Sequence, residues 1–112
     1  ATANCHIGQI TAAVNGTILA GYMQCLETPT TGEPDIDLYS ATVATGTEEA
    51  LITDLTETAL LATGADWTNI LAPKGLTTVP PADGYLYLTG SQATNATYDA
   101  GKLLIKLYGY AA

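Results

Sequence analysis

Apolar and polar positions alternate most clearly at the end of the chain. Residues 83–90 read Asp83-Gly84-Tyr85-Leu86-Tyr87-Leu88-Thr89-Gly90, and residues 100–110 read Ala100-Gly101-Lys102-Leu103-Leu104-Ile105-Lys106-Leu107-Tyr108-Gly109-Tyr110. Both runs are rich in Leu and Tyr and bracketed by turn residues, which predicts a closing pair of strands. A period of two sets Tyr85 and Tyr87 on one side of the first and Leu86 and Leu88 on the other. In the last strand Leu103, Ile105 and Leu107 share the side suited to a core, opposite Lys102, Lys106, Tyr108 and Tyr110.

Upstream, residues 7–14 and 17–26 flank Asn15-Gly16, a pair that tolerates left-handed backbone, and together predict a long β-hairpin. Residues 28–34 are too proline-rich for a central strand. Residues 36–43 resume as a strand with imperfect alternation. Residues 46–64 fit no single period: Thr45 with Glu48 matches a capping box, Glu48 and Glu49 suit a helix N-terminus, and Leu51, Leu55 and Ala59 share a helical face. Ile52, Leu60 and Leu61 break that face. The reading is one short helix within residues 54–62. Residues 66–71 predict another strand, ending at Ala72-Pro73-Lys74-Gly75, and Pro80-Pro81 interrupts the chain before the closing pair. Short strands with a turn about every ten residues predict one mainly β domain over residues 1–112, an antiparallel β-sandwich or partly open barrel with one short helix.

Composition sharpens this. Of 112 residues, 47% are hydrophobic and 12% charged, roughly half the usual charged share of ~25%. Thr, Ala and Gly fill the gap, leaving a surface of small neutral groups that lose little side-chain entropy when covered by another protein. The net charge is −8, and the basic residues are Lys74, Lys102 and Lys106. Phosphate backbones need clustered cations, so nucleic acid is excluded as a partner. Anionic membrane surfaces are excluded on the same ground, and no apolar run approaches the ~20 residues that span a bilayer. The opening Ala1-Thr2-Ala3 carries no signal peptide and fits either a trimmed initiator Met or a cleaved leader.

Candidate chemistry is sparse. Cys5 and Cys25 flank the expected hairpin, and their relation depends on its turn. A two-residue loop puts the sulfurs on opposite faces, whereas a three-residue loop sets Cys5 across from Cys25 and allows a disulfide; two free thiols are the alternative. Cys5, His6 and Cys25 lack a fourth zinc ligand, and adjacent strand residues point to opposite faces. Ser40 and Ser91 are the serines available to His6, and neither sits in a nucleophile elbow. Glu33, Asp35 and Asp37 alternate but lack calcium-loop spacing. Asn15-Gly16-Thr17 and Asn95-Ala96-Thr97 match the glycosylation pattern, which is too common to weigh. The expectation is a protein without catalytic residues, cofactor or metal. Tyr85, Tyr87, Lys102, Lys106, Tyr108 and Tyr110 form the candidate protein interface, since Tyr offers an apolar ring and a satisfiable hydroxyl.

Residues 83–88 with residues 100–108 resemble the C-terminal region of small virion structural proteins of tailed bacteriophages. In those a Gly-Tyr strand, a Thr/Ala-rich loop and an Ala-Gly-Lys entry into a last apolar strand recur. The acidic, Arg-poor, Thr/Ala/Gly-rich composition is similar too. The match covers about a quarter of the chain; two cysteines and the irregular residues 46–64 depart from it. The resemblance implies a capsid decoration or cement protein on the virion surface, contacting the major capsid protein and associating with itself. Two alternatives are another virion part, such as a tail or head–tail component, and a secreted or surface β-sandwich for adhesion or carbohydrate binding. The second would use Trp67 or the Tyr face as a stacking platform.

Overall fold

The computed structural model describes residues 5–31, 34–47, 51–62, 66–68, 72–90 and 98–111. Their elements run β1 Gly8–Gln9, α1 Ala12–Asn15, β2 Thr17–Thr30, β3 Ile36–Ala41, a 3-10 turn Ile52–Asp54, β4 Glu57–Leu61, β5 Lys74–Gly75, β6 Tyr85–Gly90 and β7 Ala100–Tyr110. The strands form two antiparallel sheets, ordered β1-β6-β3-β4 and β5-β2-β7. The molecule is a β-sandwich. Ile36, Leu38, Leu60 and Leu86 from the first sheet meet Ile18, Met23 and Cys25 from the second, with Ile10 and Trp67 completing the core. Full burial of each large apolar side chain contributes roughly 1.5–3 kcal/mol.

The expected hairpin over residues 7–26 does not form. Thr11 stands in extended backbone with its Oγ1 accepting the Val14 amide at 3.3 Å, and Asn15 Oδ1 accepts the Thr11 amide at 2.9 Å. These caps, with the strong helix formers Ala12 and Ala13, close a single helical turn where a strand was expected. Gly16 does take a left-handed φ of +64°, but it ends that turn and sends the chain into the other sheet. β1 instead pairs with β6, Gly8 facing Leu86. The register that set Cys5 across from Cys25 is therefore absent, and both are free thiols.

The short helix expected within residues 54–62 is also corrected. The 3-10 turn Ile52–Asp54 precedes β4, which pairs with β3. Its register jumps from Leu38–Leu61 to Tyr39–Ala59, leaving Leu60 as an extra residue. That bulge lets two consecutive leucines face the core, Leu60 at 0% and Leu61 at 5% exposure, which is why neither simple period fitted. The displaced Leu60 carbonyl accepts the Thr77 amide at 2.9 Å and its hydroxyl at 3.2 Å.

Of the strand expected over residues 66–71, Asp66, Trp67 and Thr68 are not in a strand and residues 69–71 lie outside the described residues. Lys74 and Gly75, expected only as part of the segment ending that strand, pair with Met23 and Tyr22. Glu33, Glu48, Glu49, Ser91 and residues 95–97 also lie outside the described residues.

β2 carries 14 residues and spans the 11 of β7, and the three extra residues are accommodated at the three register shifts along the pair. Each shift bends and twists the strand locally, coiling the long two-stranded ribbon. The shift between Ile18 and Ala20 leaves Leu19 extra, and the one between Cys25 and Glu27 leaves Leu26. Both leucines are exposed.

Candidate functional site

The tyrosines and lysines grouped by sequence belong to two different sheets. β6 lies between β1 and β3, and β7 pairs with β2, so the two closing strands are not neighbours. Tyr85 and Tyr87 therefore do not meet Lys102 and Lys106 across adjacent strands.

On the first sheet Tyr87 is buried. Its hydroxyl donates to the Val43 carbonyl at 2.9 Å and accepts the Gly46 amide at 3.1 Å. A Cβ at Gly46 would stand 2.7 Å from Tyr87 Cε1, so the backbone reaches the ring only because that residue is glycine. Cys5 follows this segment, its amide donating to the Gly46 carbonyl at 3.0 Å and its Sγ at 3.2 Å. The His6 ring stands edge-on to Tyr85 at 5.0 Å and to Tyr87 at 6.3 Å. Two loop segments therefore cover the outside of β6. Tyr87 anchors that cover, and Tyr85 is half-buried beneath His6. Neither is a free contact residue.

The β7 half of the expected face is brought together. Leu103, Ile105 and Leu107 pack against the core, while Lys102, Lys106, Tyr108 and Tyr110 are exposed on the opposite side. Leu104 belongs to that outward row. Cross-strand pairing adds β2 residues: Tyr22 faces Lys106, Ala20 faces Tyr108, Gln24 faces Leu104, Glu27 faces Lys102 and Thr17 faces Tyr110. Lys106 Nζ lies 5.4 Å from the Tyr108 ring, and the Tyr22 and Tyr108 rings are 6.1 Å apart at a 43° tilt. Tyr108 is 46% and Tyr110 57% exposed. Tyr22 and Leu104 had not been assigned to this face; strand parity marks Leu104, but Tyr22 joins only once β2 is known to pair with β7.

This face also reverses the molecule's charge. It holds Lys102 and Lys106, two of the three cationic side chains in a chain of net charge −8. The acidic residue within β2, β5 and β7 is Glu27, and its Oε1 accepts the Gly101 amide at 2.9 Å.

Elsewhere, a cleft of about 530 Å³ opens at one end of the sandwich between Pro29, Ile36, Leu88, Tyr98 and Leu103. Asp99 at its rim accepts the Thr31 hydroxyl. A smaller cleft of about 250 Å³ is lined by Ser40, Thr42, Thr56, Thr58 and Asp83. Among the described residues, no three His, Cys, Asp or Glu side chains stand together as metal ligands, and no helix is long and apolar enough to cross a membrane. Cys25 is buried and donates its Sγ to the Glu27 carbonyl at 3.2 Å. Burial pushes its thiol pKa up; the Glu27 backbone opposes this in part, and the nearby Glu27 charge adds a lesser upward push. Trp67 has no exposed surface and donates its Nε1 to the Ile36 carbonyl at 2.7 Å, so it is a core anchor and not a stacking platform. No family model matches the chain, and no curated protein or solved structure is significantly similar to it.

Proposed function

We propose that this chain is a non-enzymatic structural protein of a virion, a decoration protein that docks on the outside of an assembled capsid through the outward face of β2 and β7. The observation that supports this reading is that face itself: exposed Tyr108, Tyr110 and Leu104 with half-buried Tyr22, flanked by Lys102 and Lys106, on an otherwise acidic molecule. Rigid aromatic rings with few rotatable bonds make contact area at low entropic cost, and the lysines steer the face toward acidic ground. Stabilisation follows from linkage. A ligand present at a hundred times its dissociation constant adds about 2.7 kcal/mol per site to the state it binds. Symmetry-related sites repeat that gain across the shell.

Should a major capsid protein be encoded beside this chain, co-sedimentation with its assembled shells tests the proposal. The chain is expected to pellet with assembled shells, not with free subunits, and to raise the temperature at which the shells come apart. Lys106→Glu combined with Tyr108→Asp is expected to abolish pelleting while leaving the protein's own melting temperature within a few degrees. A wild-type chain that stays in the supernatant at saturating shell, or a double variant that still pellets, overturns the proposal. Glycan binding lost on Tyr108→Ala would overturn it in favour of adhesion.

A further inference from the structure

β7 is an edge strand. Among the described residues its one strand neighbour is β2, so one side of an 11-residue strand presents its backbone amides and carbonyls without a ladder. A long apolar edge of this kind is a template for another strand, and short edges, bulges, prolines or charged side chains, lysine above all, normally blunt it. β7 has no proline, and the register shifts of the ribbon place their extra residues on β2. Its charged residues are Lys102 and Lys106, both on the outward face, so they limit which registers an added strand can take without closing the edge. No residue of β7 is buried, although the strand contains Leu103, Leu104, Ile105, Leu107, Tyr108 and Tyr110. Even the inward row of Leu103, Ile105 and Leu107 is only half-covered. An added strand would complete both the ladder and that cover.

We propose that the occupant is a second copy of this chain, its β7 laid antiparallel to the first about a two-fold axis at Ile105. The strand's own sequence selects this register. A two-fold axis perpendicular to the sheet keeps outward residues opposite outward ones, so it must pass through a residue and not between two. Ile105 is the midpoint of β7, and centring there pairs the whole strand, Ala100 with the partner's Tyr110. It sets Ile105 against itself and Leu103 against the partner's Leu107 on the core side. On the outward side Leu104 faces the partner's Lys106, and Lys102 faces the partner's Tyr108. Moving the axis one residue to Leu104 opposes Lys102 and Lys106, and moving it to Lys106 opposes that lysine to itself. Like charges directly across a sheet are destabilising, so the two adjacent registers are penalised. The product is a continuous six-stranded sheet that doubles the outward face. This inference stands on the strand edge and is independent of the capsid reading.

Sedimentation equilibrium of the full chain tests it, with two charge variants at one position. Leu104→Glu places a carboxylate across from the partner's Lys106 twice per dimer and is expected to tighten the dimer. Leu104→Lys opposes like charges twice and is expected to loosen it. Each shift is roughly 2- to 30-fold in dissociation constant. Leu104 is 39% exposed, so both variants are expected to fold, which thermal melting checks. A wild-type chain that remains monomeric up to about 1 mM overturns the proposal. So does loosening by both variants, the signature of unspecific apolar contact.

Discussion

At the scale of single residues, the side chains that looked most adaptable are the most constrained. Trp67 carries the largest ring in the chain and spends it inside, with its indole nitrogen closing on the Ile36 carbonyl and Lys74 Nζ 4.6 Å from the ring centroid. Tyr87 and Tyr108 occupy equivalent outward positions on their strands, yet Tyr87 is 4% exposed and Tyr108 46%. The difference lies in whether a loop crosses the strand. The cysteines diverge in the same way: Cys5 is exposed and Cys25 buried. The raised pKa of Cys25 couples to stability. Below the thiol's unfolded value of about 8.5, folded and unfolded chains both hold the proton and the full stability is present. Above it the unfolded chain ionises first, so stability falls as pH climbs toward the higher folded value. Thermal midpoints of wild type and Cys25→Ala, measured from pH 7 to pH 10, are expected to converge above about pH 8.5. Parallel curves across that range would sink the assignment.

At the scale of elements, the β2–β7 ribbon is held at its end by close backbone approach. Gly16 combines a φ of +64° with a site where a Cβ would fall 1.9 Å from the Tyr110 carbonyl oxygen. Any side chain there strains the backbone and pushes the end of β7 away from the start of β2. Gly16→Ala is expected to cost about 2 kcal/mol or more, read from urea unfolding. A loss no larger than that of an ordinary surface substitution would show that the contact is not maintained. The bulges belong to this scale too. Leu60 in β4 turns two neighbouring leucines inward, whereas the extra Leu19 and Leu26 in β2 leave leucines outside. One device serves the core in the first sheet and the surface in the second.

At the scale of the whole molecule, consecutive strands repeatedly change sheets: β1 lies in the first, β2 in the second, β3 and β4 in the first, β5 in the second, β6 in the first and β7 in the second. Each sheet therefore gathers strands from distant parts of the chain, and loop closure makes such non-local pairings costly to begin. Stability should be graded accordingly. Amides of β2, β3 and β6, which have strands on both sides, are expected to exchange hydrogen slowest, and the two-residue strands β1 and β5 fastest. Hydrogen exchange followed by residue-resolved NMR checks that order; β5 amides as protected as those of β3 would contradict it. What was legible in the bare sequence was local in origin. Alternation in residues 103–107 told inside from outside because successive strand side chains must point to opposite faces, and Asn15-Gly16 announced a left-handed glycine because few other residues tolerate one. The same cues carried no information about partners. Whether Gly16 closed a hairpin or ended a helical turn, whether Tyr85 and Lys106 shared a sheet, and whether Tyr87 was covered all turned on contacts between residues dozens of positions apart. Those are decided by the packing of two sheets around one core, where the burial of Leu38, Met23, Leu60 and Trp67 together outweighs any single turn's preference.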